Sequence, residues 1–172
     1  MQLDVMWAEV ELAKSEQRHE LVLQGKELTE KLERNEGRVD ENIFSLGQDH
    51  NLNYVKYFTT FLVKLNFLEL SQSQLSAVPS SVGRLGHLTS LVLKSNKLTL
   101  LPDSLNSLTN LKLLDVSNNK ISSLPSLSQL NMLATINLAV NSLEGALDIP
   151  GLESCEKLSV VDVSGEIFSL TE

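Results

Sequence analysis

Leu88-Thr-Ser-Leu91-Val-Leu93-Lys-Ser-Asn96-Lys-Leu98 is followed, after the tail Thr99-Leu-Leu-Pro102-Asp-Ser-Leu105-Asn-Ser-Leu108, by Leu111-Lys-Leu-Leu114-Asp-Val116-Ser-Asn-Asn119-Lys-Ile121. The two stretches are one pattern written twice, and self-similarity at a fixed period decides an architecture before any local propensity does. A third copy runs through Leu133, Ile136, Leu138, Asn141 and Leu143. Upstream, Leu65, Leu68, Leu70 and Leu75 keep the spacing with Ser73 in the asparagine place, and downstream Leu158, Val161 and Val163 keep it with Glu166 there and Phe168 two beyond. Starts at 65, 88, 111, 133 and 158 give periods of 23, 23, 22 and 25 residues.

Apolar residues alternating over three positions make a short strand with one buried face. An asparagine three residues later turns the chain, and its amide can serve backbone groups of neighbouring copies. The Leu-Pro-x-x-Leu-x-x-Leu tail is too short for a long helix, so the return path should be extended or a 3₁₀ turn. The pattern L-x-x-L-x-L-x-x-N-x-L, complete in three copies, resembles the leucine-rich-repeat family over roughly residues 65–168. That resemblance implies an α/β solenoid, a horseshoe of short parallel strands in which each repeat buries its leucines against its neighbours. Five repeats are expected over 65–172, the last of them incomplete, which marks the chain as a fragment or truncated isoform with an uncapped strand edge.

Residues 1–46 read as a charged helical N-terminal cap. They are rich in Glu, Lys, Leu, Gln and Ala between Trp7 and Arg34, and Gly25 divides them into one helix near 6–23 and a second near 27–35, stopped by Gly37. Trp7 and Val10 supply a face that should lie on the first repeats. Residues 47–64 fit no part of the repeat and read as an insertion or linker, an extra strand with a hydrophobic lid or a loosely ordered segment. The stretches Trp7-Ala-Glu-Val-Glu-Leu-Ala-Lys14, Arg18-His-Glu-Leu-Val-Leu23 and Ile43-Phe-Ser-Leu46 look like the opening of an intracellular leucine-rich-repeat subfamily. In that subfamily helices precede the repeats and a C-terminal part resembles the beta subunit of phenylalanyl-tRNA synthetase. The resemblance therefore implies a docking segment of a longer translation-linked or RNA-associated protein as an alternative role.

The 172 residues are 42% apolar and 5% aromatic, enough for one core. Net charge is −8, and residues 1–50 carry 12 of the 22 acidic and 6 of the 14 basic residues, which places −6 of that charge at the N-terminal end. An acidic surface disfavours direct nucleic-acid binding by this segment. No apolar run approaches the roughly 20 residues of a membrane span, and no signal peptide opens the chain. Cys155 is the single cysteine, so no intrachain disulfide can form, and a reducing compartment is expected, the cytoplasm first with the nucleus as the alternative.

Catalytic, metal and cofactor sites are not expected. His19, His50 and His87 share no spacing that would gather them at a metal. Gly83-Arg-Leu-Gly86 is too short for a phosphate loop and suits a packing turn. Serine-rich stretches lack a histidine and an acid to activate a nucleophile, Glu153 and Glu156 read as solvated, and Cys155 has an interior phase. No small-molecule substrate is implied. The informative positions are the intervening residues of the strand pattern, which line up across repeats on the concave face: Glu69, Val92, Asp115, Asn137 and Asp162 at the fourth position after each start, Phe67, Ser90, Leu113, Thr135 and Val160 at the second, and Ser71, Lys94, Ser117, Ala139 and Ser164 at the sixth. Three carboxylates beside apolar anchors suit a protein partner with a basic surface. The candidate binding set is Phe67, Glu69, Val92, Lys94, Leu113, Asp115, Asn137 and Asp162. The competing reading is a solvated face, with binding on the convex or loop surfaces.

Overall fold

The computed structural model describes Leu12, Ser15, Glu16 and residues 20–22, 64–143 and 149–165. Six three-residue strands, β1 (Glu20–Val22), β2 (Phe67–Glu69), β3 (Ser90–Val92), β4 (Leu113–Asp115), β5 (Thr135–Asn137) and β6 (Val160–Asp162), form one sheet in sequence order. Every neighbouring pair is parallel. The register repeats without slip: Leu68, Leu91, Leu114 and Ile136 stand side by side at the strand centres, all four fully buried. Truncating such a leucine to alanine removes roughly 2–5 kcal/mol, because a filled core position becomes a cavity.

On the return path Pro79 and Pro102 precede 3₁₀ turns at Ser80–Arg84 and Asp103–Ser107, which drop Val82 and Leu105 into the core. A third short turn, Leu152–Ser154, precedes β6. Proline has no N–H to lose at these starts and sets φ for the turn. Gly83 is there because the two turns touch: a Cβ at this position would lie 2.6 Å from the Ser104 carbonyl oxygen.

The asparagines form a ladder between copies. Asn96 Oδ1 accepts from the N–H groups of Ser73 and Leu75, each at 3.0 Å, and its Nδ2 donates to the carbonyls of Leu70 and Leu93, each at 2.8 Å. Asn119 Oδ1 accepts from Leu98 N–H at 3.0 Å while Nδ2 donates to Leu93 at 3.1 Å and Val116 at 2.9 Å. Asn141 does the same one copy on, accepting from Ile121 N–H at 3.0 Å and donating to Val116 at 3.1 Å and Leu138 at 2.7 Å. One position before the asparagine place the backbone is left-handed in every copy, at Gln72, Ser95, Asn118, Val140 and Gly165 with φ between 56° and 83°.

The N-terminal expectation needs correction. Leu12 and Ser15 have helical backbone, but the predicted helix does not reach residue 23, because Glu20–Val22 is a strand hydrogen-bonded to β2 with Leu21 opposite Leu68. The segment carries a degenerate repeat, with Leu21 and Leu23 in phase and Arg18 and Lys26 where a leucine and an asparagine belong. Sheet pairing outweighs a helix propensity worth only tenths of a kcal/mol per residue. Trp7, the predicted helix near 27–35 and residues 47–63 lie outside the described residues.

Candidate protein-binding face

The strands carry the predicted binding residues as two columns on one face. Phe67, Ser90, Leu113 and Thr135 are half-buried, and Val160 beside them is 50% exposed. Glu69, Val92, Asp115, Asn137 and Asp162 are all half-buried, in unbroken register from β2 to β6. Lys94 is exposed just beyond β3. The structure thus brings the eight candidates together. It also extends the register to β1, where Glu20 stands opposite Phe67 and Val22 opposite Glu69. Sequence reading missed that strand, although Leu21-x-Leu23 carried the signal.

The sixth-position column differs from expectation. Ser71, Ser117 and Ala139 are 2%, 4% and 8% exposed, so they belong to the frame rather than the open face. Three residues of this column also bond the side chain two residues earlier. Ser117 donates both its N–H, at 3.0 Å, and its hydroxyl, at 2.7 Å, to Asp115 Oδ1. Ala139 N–H donates to Asn137 Oδ1 and Ser164 N–H to Asp162 Oδ1, each at 3.0 Å. Each acidic or amide side chain closes a turn with one oxygen, as Asp and Asn do in general. Its remaining oxygen or amide nitrogen is left for the face. These bonds from Ser164 hold the Asp162 carboxyl below the usual carboxylate range. Short side chains pinned in this way lose little further entropy on binding.

Other residues weighed on sequence fall elsewhere. His87 is exposed on the return path. Cys155 is 5% exposed, its Sγ 3.7 Å from the Leu127 carbonyl oxygen, and burial first and Glu153 second push its thiol up. Among the described residues no group of three or more His, Cys, Asp or Glu could hold a metal ion, and no helix is long and apolar enough to cross a membrane.

Comparison with solved structures gives the fold its name. A leucine-rich-repeat protein of Leptospira interrogans, LIC12759, superposes with a TM-score of 0.61 at 25% identity, over 67% of this chain and 29% of that one. The leucine-rich-repeat ectodomain of the Arabidopsis thaliana membrane receptor kinase GASSHO1/SCHENGEN3, in complex with CASPARIAN STRIP INTEGRITY FACTOR 2, superposes with a TM-score of 0.58 at 30% identity, over 65% of this chain and 14% of that one. This is a leucine-rich-repeat fold. The chain spans well under a third of either neighbour's length. No family model matches it, and no curated protein does. Leucine-rich-repeat neighbours suggest a protein-interaction module, and the GASSHO1/SCHENGEN3 ectodomain was solved with a partner bound.

Proposed function

We propose that the chain is a non-catalytic, cytoplasmic protein-recognition module that binds a partner protein with a basic surface on the concave side of its sheet. The supporting observation is the pair of in-register columns. Phe67, Leu113 and Val160 offer apolar contact area, and Glu69, Asp115 and Asp162 surround it with acidic charge on a rigid frame. Aromatic and aliphatic anchors beside complementary charge are what a recognition surface needs for affinity and for steering.

The test is co-purification with tagged protein from a cytoplasmic extract at two salt concentrations. Wild type is compared with the double variant Asp115→Asn/Asp162→Asn, in which asparagine keeps the turn-closing oxygen and removes the charge. A partner retained by wild type and by Glu153→Gln, but lost by the double variant and at high salt, supports the reading. Equal retention by both variants rejects the concave face. The N-terminal resemblance favours a second reading, a docking segment of a longer translation-linked or RNA-associated protein. Recovery of ribosomal or synthetase components that is indifferent to the concave variants would select it.

A further inference from the structure

The acidic residues of the fourth-position column fall on alternate strands: Glu69 on β2, Asp115 on β4 and Asp162 on β6, with Val92 on β3 and Asn137 on β5 between them. Adjacent strands lie about 4.8 Å apart, so the acids recur every ~9.6 Å across the sheet. A polyproline II segment has three residues per turn and rises about 3.1 Å per residue, so its every third side chain falls on one side at a spacing of ~9.3 Å. The two repeats match to within a few tenths of an ångström. Resting on the reading of the concave face as a basic-partner site, we infer that its ligand is an extended, polyproline II-like segment crossing the strands, with a basic residue at every third position.

Two observations carry the match further. The carboxylates of Asp115 and Asp162 are fixed by the bonds from Ser117 and Ser164, so their spacing is a property of the frame rather than of mobile side chains. The intervening strands select against the wrong spacing. A basic residue over β3 meets apolar Val92 and the exposed ammonium group of Lys94, and one over β5 meets uncharged Asn137. Such placement of like charge against the wrong register is how specificity is usually built. Ser71 also stands in register with Ser117, two residues beyond Glu69, yet its hydroxyl is 2% exposed and has no hydrogen-bond partner. In β4 the shorter Asp115 binds the equivalent hydroxyl. With Glu69 in that place no such bond is made, and the Ser71 hydroxyl is left without a partner at the Glu69 end of the column.

The test uses two fluorescently labelled seven-residue peptides of identical composition, Arg-Pro-Pro-Arg-Pro-Pro-Arg and Arg-Arg-Arg-Pro-Pro-Pro-Pro, titrated with the full chain at low salt and followed by anisotropy. The periodic peptide is expected to bind at least fivefold tighter than the block isomer. Asp115→Asn should reduce that preference to below twofold while leaving the thermal melt in place. Equal affinity of the two isomers for wild type overturns the inference. If Asp115→Asn then weakens both isomers alike, a basic partner on the concave face survives without the spacing. If Asp115→Asn weakens neither, or no isomer binds at millimolar concentration, the basic-partner reading falls with it.

Discussion

The asparagine ladder allows a prediction about ranking and coupling as well as direction. In Asn119→Ala the Leu98 N–H loses its acceptor, whereas the three carbonyls served by Nδ2 keep a second donor, because Leu93 also receives Asn96, Val116 also receives Asn141 and Ser117 also receives the Ser95 N–H. One orphaned buried donor at roughly 1–3 kcal/mol, plus a few tenths for each shared carbonyl, gives a loss of about 2–3 kcal/mol. In Asn96→Ala two N–H groups, Ser73 and Leu75, lose that oxygen, and the Leu70 carbonyl loses its amide donor, so the loss should exceed that of Asn119→Ala by at least ~1 kcal/mol. The double variant strips Leu93 of both side-chain donors. Its cost should therefore exceed the sum of the singles by about 0.5–1 kcal/mol, a sign reserved for residues that share a partner. Urea titrations of the four proteins, compared at fixed denaturant slope, read all three quantities. Additive losses, or a larger loss at Asn119 than at Asn96, would refute the shared-acceptor ladder.

Further consequences concern strain, burial and charge. Val140 holds φ at 56° with half its surface exposed, a conformation that costs a β-branched residue about 1–2 kcal/mol, so Val140→Gly should raise stability by roughly 0.5–1 kcal/mol in denaturant titration. A melt lowered by this change would show that Val140 contacts outweigh the strain. The raised Cys155 thiol adds stability that is complete below the unfolded value, near pH 8.5, and fades as pH rises towards the folded value. Stability should accordingly fall above about pH 8.5 in wild type and fall less in Cys155→Ala, and native thiol should react slowly with an alkylating reagent until urea is added. Fast native alkylation would contradict the burial.

The repeat frame was legible because its determinants are local and periodic. Leucines at the third and fifth positions after each start, asparagine at the eighth and the Leu-Pro tail each report a packing duty that recurs every 22 to 25 residues. What stayed hidden was set by neighbours. The copy around β1 has Arg18 and Lys26 in place of two signature residues, which leaves Leu21-x-Leu23 as its one sequence signal among helix-favouring residues, and its pairing with β2 makes the strand plain. The turn-closing role of Asp115 hides in an Asp-x-Ser that reads equally well as solvated surface. Val140 prefers extended backbone by itself. Its left-handed φ is imposed from both sides, where its N–H donates to Ser164 at 2.8 Å and its carbonyl accepts from Asn119 at 3.1 Å. The candidate columns followed from strand alternation alone, while the burial of Ser71, Ser117 and Ala139 followed from the loops beyond the strands.

Recognition on the concave sheet is most directly tested by calorimetric titration of the captured partner, once purified, against wild type, Leu113→Ala, Asp115→Asn and Glu153→Gln. Leu113 and Asp115 stand on the same central strand, while Glu153 lies exposed on the return path. Leu113→Ala and Asp115→Asn should each weaken binding by roughly 1–2 kcal/mol, the latter with a shallower salt dependence than wild type, while Glu153→Gln leaves affinity unchanged. Equal losses at all three positions, or a loss confined to Glu153, would place recognition off the concave sheet and leave the acidic column as solvated surface.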